Sequence, residues 1–329
     1  MKFLLIDSGT TSSRVRLAVG DKIVSSVKRA AGAKDVSITG SSEVLRRALK
    51  EAIEEILKDI AMNINDIDAI IAAGMISSNV GLYEIPQIAA PIGPTDISQR
   101  LVMKYFPDII DKPIIFIPGV KTGFDRDNRS ITEKDVMRGE ETEIFGYMGN
   151  KENEDILFMH YGSHHKCILL SDGKIAESRT SITGELLMSI AENTILKSSL
   201  VPLEELDPSA EWFKKGIEAA EVSGFGRALF STRVLQTMEG RNLQEATSFY
   251  LGTLCSLDLS LVSELMTANI KKVVLYGKEL FPKLFKSVLE EKYPNLQVEI
   301  VPEKEADLLS AKGAVKIYKQ WLLRSEKNE

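Results

Sequence analysis

Two short stretches of the chain combine glycine, small hydroxyl side chains and a neighbouring charge, a mixture that suits phosphate. The first, Asp7-Ser8-Gly9-Thr10-Thr11-Ser12-Ser13-Arg14, leaves one apolar strand and enters another with no helix between them. It must therefore turn tightly. Such a turn can offer backbone N–H groups and the hydroxyls of Ser8, Thr10 and Thr11 around Gly9, while Asp7 can hold a hydrated Mg²⁺ beside the phosphate. The second, Tyr161-Gly162-Ser163-His164-His165-Lys166, again sets a glycine and a hydroxyl between two strands, with Gly162 and Ser163 as the matching donors. A plain hairpin would satisfy either stretch alone, so the repetition is the stronger signal. No P-loop and no Gly-x-Gly-x-x-Gly pattern occurs, which removes support from the two commonest other nucleotide folds.

Transfer of a phosphoryl group to a hydroxyl is mostly positioning and charge neutralisation, and it needs one carboxylate to accept the hydroxyl's proton. Asp135-Val136-Met137-Arg138-Gly139-Glu140-Glu141-Thr142 supplies candidates at the start of an expected helix. Either Glu140 or Glu141 can be that base, although carboxylates in a first helical turn also simply complement the helix dipole. Arg138 beside them suits a substrate carboxylate, which a guanidinium meets through two parallel hydrogen bonds. Ala73-Gly74-Met75-Ile76-Ser77-Ser78-Asn79-Val80-Gly81 follows a buried strand, and loops in that position are where α/β folds bind ligands. The histidines, His160, His164 and His165, share one segment. Residues four apart stand side by side on a helix but are well separated along a strand, so they read as donors to phosphate or substrate rather than metal ligands.

The elements that must position these groups follow from apolar spacing. Phe3 to Ile6, Val15 to Val19 and Lys22 to Val27 read as a meander of three strands. A helix capped at Ser42 carries Val44, Leu45, Ala48, Leu49, Ala52, Ile53, Ile56 and Leu57 on one face. Ala69 to Ala73 and Ile114 to Ile117 are continuous apolar runs, as expected of strands covered on both sides. After the polar stretch Gly149 to Asp155 the meander repeats, with Ile156 to Tyr161, Lys166 to Leu170 and Lys174 to Thr180. Helices to about Ala268, strands Val273 to Tyr276 and Val298 to Val301, and a closing helix from Glu305 complete the pattern. Two α/β domains are expected, 1–149 and 150–329, with the closing helix packing back on the first.

The chain has 329 residues, 44% hydrophobic and 27% charged, enough for two ordinary domains. A formal charge of -6 argues against a nucleic-acid partner, because phosphate backbones are met by clustered Lys and Arg. Cys167 and Cys255 are far apart and lack metal-ligand spacing, which fits a reducing cytoplasm. The apolar run Phe3 to Ile6 is stopped at once by Asp7, too short for a signal-peptide core or a membrane span.

Facing hairpin turns, one per domain, are the mark of the sugar kinase, Hsp70 and actin superfamily. More narrowly, Ala73 to Gly81, Ile117-Pro118-Gly119, Val136 to Thr142 and Thr183-Gly184-Glu185-Leu186 resemble, in order, the blocks of the 2-dehydro-3-deoxygalactonokinases. That resemblance implies a two-domain, actin-like (ribonuclease-H-like) α/β ATPase fold with an interdomain cleft. It implies a kinase that uses ATP and Mg²⁺ to phosphorylate the 6-hydroxyl of a 2-keto-3-deoxy sugar acid. Similarity to glycerol-kinase-like enzymes favours Glu140 as the base, with Asp7 and Glu141 as further catalytic carboxylates. Met75, Ser78, Asn79, Arg138, His164, Lys166 and Glu185 are then the expected substrate contacts, and Gly277 in Val274-Leu275-Tyr276-Gly277 resembles the turn over adenosine. The resemblance is compatible with a homodimer. A kinase of a neutral sugar or polyol, and an actin-like or chaperone-type nucleotide switch, are the competing readings. Arg138 speaks against the first, and the lack of a C-terminal peptide-binding domain against the second.

Overall fold

A computed structural model describes residues 1–124, 128–149 and 154–328, with side chains to Arg324. The expected boundary after residue 149 abuts residues 150–153 and lies outside the described residues. The chain forms two compact units. Unit 1 comprises Met1–Glu154, Ser171–Glu177 and Lys304–Glu329, and unit 2 comprises Asp155–Leu170 and Ser178–Glu303. The units are thus discontinuous in sequence, because a short segment at 171–177 and the closing helix both return to unit 1.

Unit 1 opens with strands β1 (Lys2–Ser8), β2 (Ser13–Val19) and β3 (Lys22–Arg29), followed by helices α1 (Ala33–Thr39) and α2 (Glu43–Asp59). Then come β4 (Ala69–Gly74), β5 (Ile88–Ala89), α3 (Pro94–Ser98), β6 (Val102–Lys104), β7 (Ile114–Phe116), β8 (Val120–Thr122), β9 (Asp135–Met137) and α4 (Glu140–Met148). Six strands pair in the order β3-β2-β1-β4-β7-β6, while β5, β8 and β9 make a separate small sheet. That small sheet was not expected, since its strands are two or three residues long and carry no period to read. All six residues of β4 are buried, as a central parallel strand requires. The stripe Leu45, Ala48, Leu49, Ala52, Ile53 and Ile56 of α2 is buried, and all of it but Ala48 joins a core with Leu4, Ile6, Leu17 and Ile70.

Apart from the Ser171–Glu177 segment, which groups with unit 1, unit 2 repeats the plan with β10 (Ile156–Tyr161), β11 (His165–Ser171), β12 (Lys174–Ser181) and α5 (Thr183–Asn193). Helices α6 (Ala210–Ser223), α7 (Phe225–Thr237) and α8 (Leu243–Leu265) precede β13 (Lys272–Gly277), α9 (Leu280–Lys292) and β14 (Gln297–Ile300). The strand order β12-β11-β10-β13-β14 matches β3-β2-β1-β4-β7, with the same antiparallel and parallel pairings. The last helix, α10 (Glu303–Asn328), belongs almost entirely to unit 1. There it crosses α4 at contact distance: a Cβ on Gly313 would lie 1.7 Å from the Thr142 carbonyl oxygen, and one on Gly146 2.0 Å from that of Leu309. Among the described residues no helix is long and apolar enough to cross a membrane.

The α4–α10 crossing predicts a contrast between two Gly→Ala variants. Gly313→Ala forces the helices apart and should lower stability by about 1–3 kcal/mol, the usual cost of overpacking. Gly226→Ala, at a helical position with nothing within 4 Å, should be neutral or slightly stabilising. Urea midpoints measure both, and equal midpoints would show that the crossing is not tight.

Candidate active site

The turn between β1 and β2 is closed by Gly9 N–H donating to the Ser12 carbonyl at 2.9 Å. The carbonyls of Gly9 and Thr10 accept from Ala33 and Lys34 at the start of α1, at 3.1 and 2.8 Å. Gly32 lets that helix start come so close, because a Cβ there would sit 2.6 Å from the Thr10 oxygen and 2.7 Å from the Gly9 oxygen. With three carbonyls engaged inside the protein, the outer face of the turn is left to N–H groups and to the partly exposed Thr10 and exposed Thr11. Ser8 differs from expectation. Its side chain is buried, and since Ser13 Oγ donates to the Ala31 carbonyl, the 2.8 Å contact between the two hydroxyls leaves Ser8 as donor to Ser13. Only its backbone remains for a ligand.

Asp7 lies at the end of β1 with its side chain about a third exposed (34%). Burial of the carboxyl raises its pKa, and the opposing pull comes from Arg16, Arg14 and a hydrogen bond from Ser310. Arg16 is itself buried on β2, with Nη1 3.7 Å from Asp7 and Nη2 donating to the Asp307 carbonyl on α10. Among the described residues no group of three or more His, Cys, Asp or Glu could cage a metal. A lone, partly open carboxylate fits Mg²⁺, which keeps most of its waters and takes its other ligands from phosphate.

The end of β4 brings the remaining unit 1 groups to Asp7. Gly74, paired with Ser8 in the ladder, has φ +88°, and a Cβ there would lie 2.5 Å from the Ser8 carbonyl oxygen and 3.5 Å from Asp7 Oδ1. Only glycine fits. A Cβ on Gly139 would in turn meet the Gly74 Cα at 3.4 Å, so the start of α4 stands over the same strand ends. Glu140 is partly exposed there and its Oε2 accepts from Arg138 N–H at 3.1 Å. Glu141 is buried, both oxygens accepting from Gly139 N–H at 2.9 and 2.8 Å. Burial first, and then the charge of Glu140, push its pKa up to about 8. Arg138 is half-buried. Its Nη1 donates to Ser77 Oγ at 3.0 Å and its Nη2 to the Ile85 carbonyl at 2.8 Å, so it holds the loop after β4 and has three N–H groups left. Met75 is partly exposed and Asn79 exposed, whereas Ser78 is buried with its hydroxyl on the Met75 carbonyl.

Unit 2 also sets a helix start against its turn, by close approach. A Cβ on Gly184, in the first turn of α5, would lie 2.4 Å from the Gly162 carbonyl oxygen and 2.5 Å from that of Ser163, so both carbonyls face the helix start. Gly277, with φ +115°, ends β13 against Tyr161 as Gly74 ends β4 against Ser8. Ser163 and His164 are partly exposed, and His164 Nε2 pairs with the exposed Glu185 at 3.1 Å. Lys166 departs from its expected role as a substrate contact, because β11 buries it opposite His160. Arg16, Gly32 and Ser310 went unrecognised in the sequence. Each acts on a turn or carboxylate distant along the chain, and no local pattern announces that.

A family model described as 2-keto-3-deoxy-galactonokinase matches residues 7–315. A relative from Rhizobium meliloti (strain 1021) that carries the name 2-dehydro-3-deoxygalactonokinase is 27% identical over 308 residues, 92% of this chain and 93% of its own length. One from Escherichia coli (strain K12) with the same name is 25% identical over 79% of this chain and 80% of its own. A solved structure from Sinorhizobium meliloti, described as a protein of that kind, has TM-score 0.77 at 25% identity and covers 96% of this chain and 98% of its own. Component A of (R)-2-hydroxyglutaryl-CoA dehydratase from Acidaminococcus fermentans shares the fold, with TM-score 0.51 at 17% identity over 98% of this chain and 99% of its own.

The buried Glu141 generates a pH prediction. Its folded-state pKa, about 8, lies above the ordinary value of 4.5, so the unfolded chain loses this proton first as pH rises. Stability from this group is complete below about pH 4.5 and is lost as pH climbs towards 8, at no more than about 1.4 kcal/mol per unit. Glu141→Gln should therefore gain on the parent steadily between those values in urea unfolding. Parallel stability profiles would show Glu141 to be ionised throughout.

Proposed function

Because the chain belongs to the 2-keto-3-deoxy-galactonokinase family, and so is a carbohydrate kinase, we propose that it carries a phosphoryl group from ATP to the 6-hydroxyl of 2-dehydro-3-deoxygalactonate. The observation that carries this assignment of roles is the gathering of Asp7, Gly74 and the Arg138-Gly139-Glu140 start of α4 in unit 1. Glu140 is the base. It stands partly open at a helix N-terminus, and it takes the proton from the attacking hydroxyl. Glu141, buried and held on Gly139 N–H, fixes the turn that presents Glu140. The remaining N–H groups of Arg138 orient the acid's carboxylate, and its bonds to Ser77 and Ile85 hold the fork in place. Met75 and Asn79 line the same loop as substrate contacts.

The turn Gly9–Thr11, whose Gly9 N–H is spent on Ser12, would hold phosphate through the N–H groups of Thr10 and Thr11, and the turn Gly162–His164 would do so through its own N–H groups. Gly277 leaves room at the end of β13 for the nucleoside. Asp7 would hold Mg²⁺ through water, with Arg16 Nη1 3.7 Å away opposing the rise that burial gives its pKa. When bound, ATP supplies the phosphoryl group and Mg²⁺ neutralises its polyphosphate.

A coupled assay over 2-keto-3-deoxy acids and neutral sugars tests the reading: ATP turnover should require the acid, and equal rates with neutral sugars would overturn it. Glu140→Gln should lower kcat by about 10²-fold or more and leave KM nearly unchanged. Arg138→Lys should raise KM for the acid, because an ammonium cannot make the two-point contact. Full activity in Glu140→Gln beside an inactive Glu141→Gln would move the base to the buried neighbour.

A further inference from the structure

Behind the second turn lies a buried hydrogen-bonded link whose members stand well apart in the chain. His165, the first residue of β11, follows the turn directly and is 0% exposed. Its Nδ1 is 2.7 Å from Oδ2 of Asp258, also 0% exposed, on α8. The other oxygen, Oδ1, accepts from Thr183 Oγ1 at 2.9 Å. Thr183 is the first residue of α5, and the two residues after it are those that touch the turn: Gly184 against the carbonyls of Gly162 and Ser163, and Glu185 against His164. One carboxylate thus joins the foot of the turn to the helix start that sets its carbonyl direction.

A buried carboxylate is costly unless both oxygens are satisfied, so Asp258 needs the His165 and Thr183 bonds together. The Cys255 thiol on the same helix also reaches this carboxylate, and the core around them is otherwise apolar, with Leu259 on α8 and Phe281 against the His165 ring at 5.1 Å. An apolar residue of similar size would serve packing alone equally well. What the carboxylate adds is a fixed distance and angle between His165 and Thr183, which packing would leave free.

We propose that Asp258 is a positioning residue for nucleotide binding: with His165 and Thr183 it clamps the Gly162–His164 turn to α5, so that the turn's N–H groups are already aimed at phosphate. This rests on the reading of that turn as a phosphate site. Preorganised donors bind more tightly because the ligand need not order them. Asp258→Asn keeps the shape but cannot accept from both partners with their present protons, and Thr183→Val removes the bond to Asp258, together with the neighbouring Ser181–Thr183 hydroxyl contact, at nearly constant volume.

The test measures binding of ADP and of a non-hydrolysable ATP analogue by calorimetry on the whole chain, alongside KM values for ATP and for the sugar acid. Folding is checked by circular dichroism. Asp258→Asn and Thr183→Val should each weaken nucleotide binding and raise KM for ATP about tenfold, leaving KM for the acid within about twofold. Thr183→Ser should restore most of what Thr183→Val loses. Parent-like nucleotide affinity in a folded Thr183→Val overturns the proposal, even where Asp258→Asn fails to fold, and so does an equal rise in both KM values. A parent chain that binds neither nucleotide would instead overturn the assignment of the turn, and the clamp with it.

Discussion

A peptide turn can face an anion only if its carbonyl oxygens have somewhere else to go. In both units that place is the start of a helix lying against the turn, α1 in unit 1 and α5 in unit 2. The approach is so close that the helix must bring a glycine there, Gly32 or Gly184, and the neighbouring parallel strand must end in another, Gly74 or Gly277. Four backbone positions without a side chain thus decide which way the peptide dipoles point. The meander, the parallel strand and the following helix are the smallest set of elements that supplies all of these contacts, and the chain builds the set twice.

The two copies are surrounded differently. Unit 1 adds charge: Asp7 beside buried Arg16, and the carboxylates of α4 over Gly74. Removing such groups from water is unfavourable unless each is paired, and α10 supplies the pairing through Ser310 and Asp307. Unit 2 adds an apolar mass instead, with α6, α8 and α9 covering its sheet and a single carboxylate, Asp258, behind the turn.

Much of this plan was legible in the sequence. The duplicated Gly-hydroxyl turns, the continuous apolar run of β4 and the stripe of α2 each follow from local periodicity, which is set by a few neighbouring residues. The start of α4 was legible too, since Gly139 and two glutamates mark a helix N-terminus. What escaped was the direction of individual side chains. Ser8 looks like a ligand donor in a Ser-Gly-Thr-Thr run, yet its place in the ladder turns it towards Ser13. Lys166 looks like a cation beside two histidines, yet strand alternation carries it inside. Gly32 and Asp258 act across 22 or more residues on groups that their own neighbourhoods do not mention, and only the folded chain brings them there.

The return of α10 to unit 1 also sets an order of events during synthesis. Every contact within unit 2 is available once residue 303 has left the ribosome, while unit 1, begun first, still lacks its last helix. Until that helix arrives, Arg16 has no Asp307 carbonyl to donate to, and the groove of α4 around Gly146 faces water. The half made first is therefore the half finished last. Asp7 and the carboxylates of α4 come under their final constraints only when α10 has been made, so until then the nascent chain holds an exposed groove on α4, a natural target for chaperones.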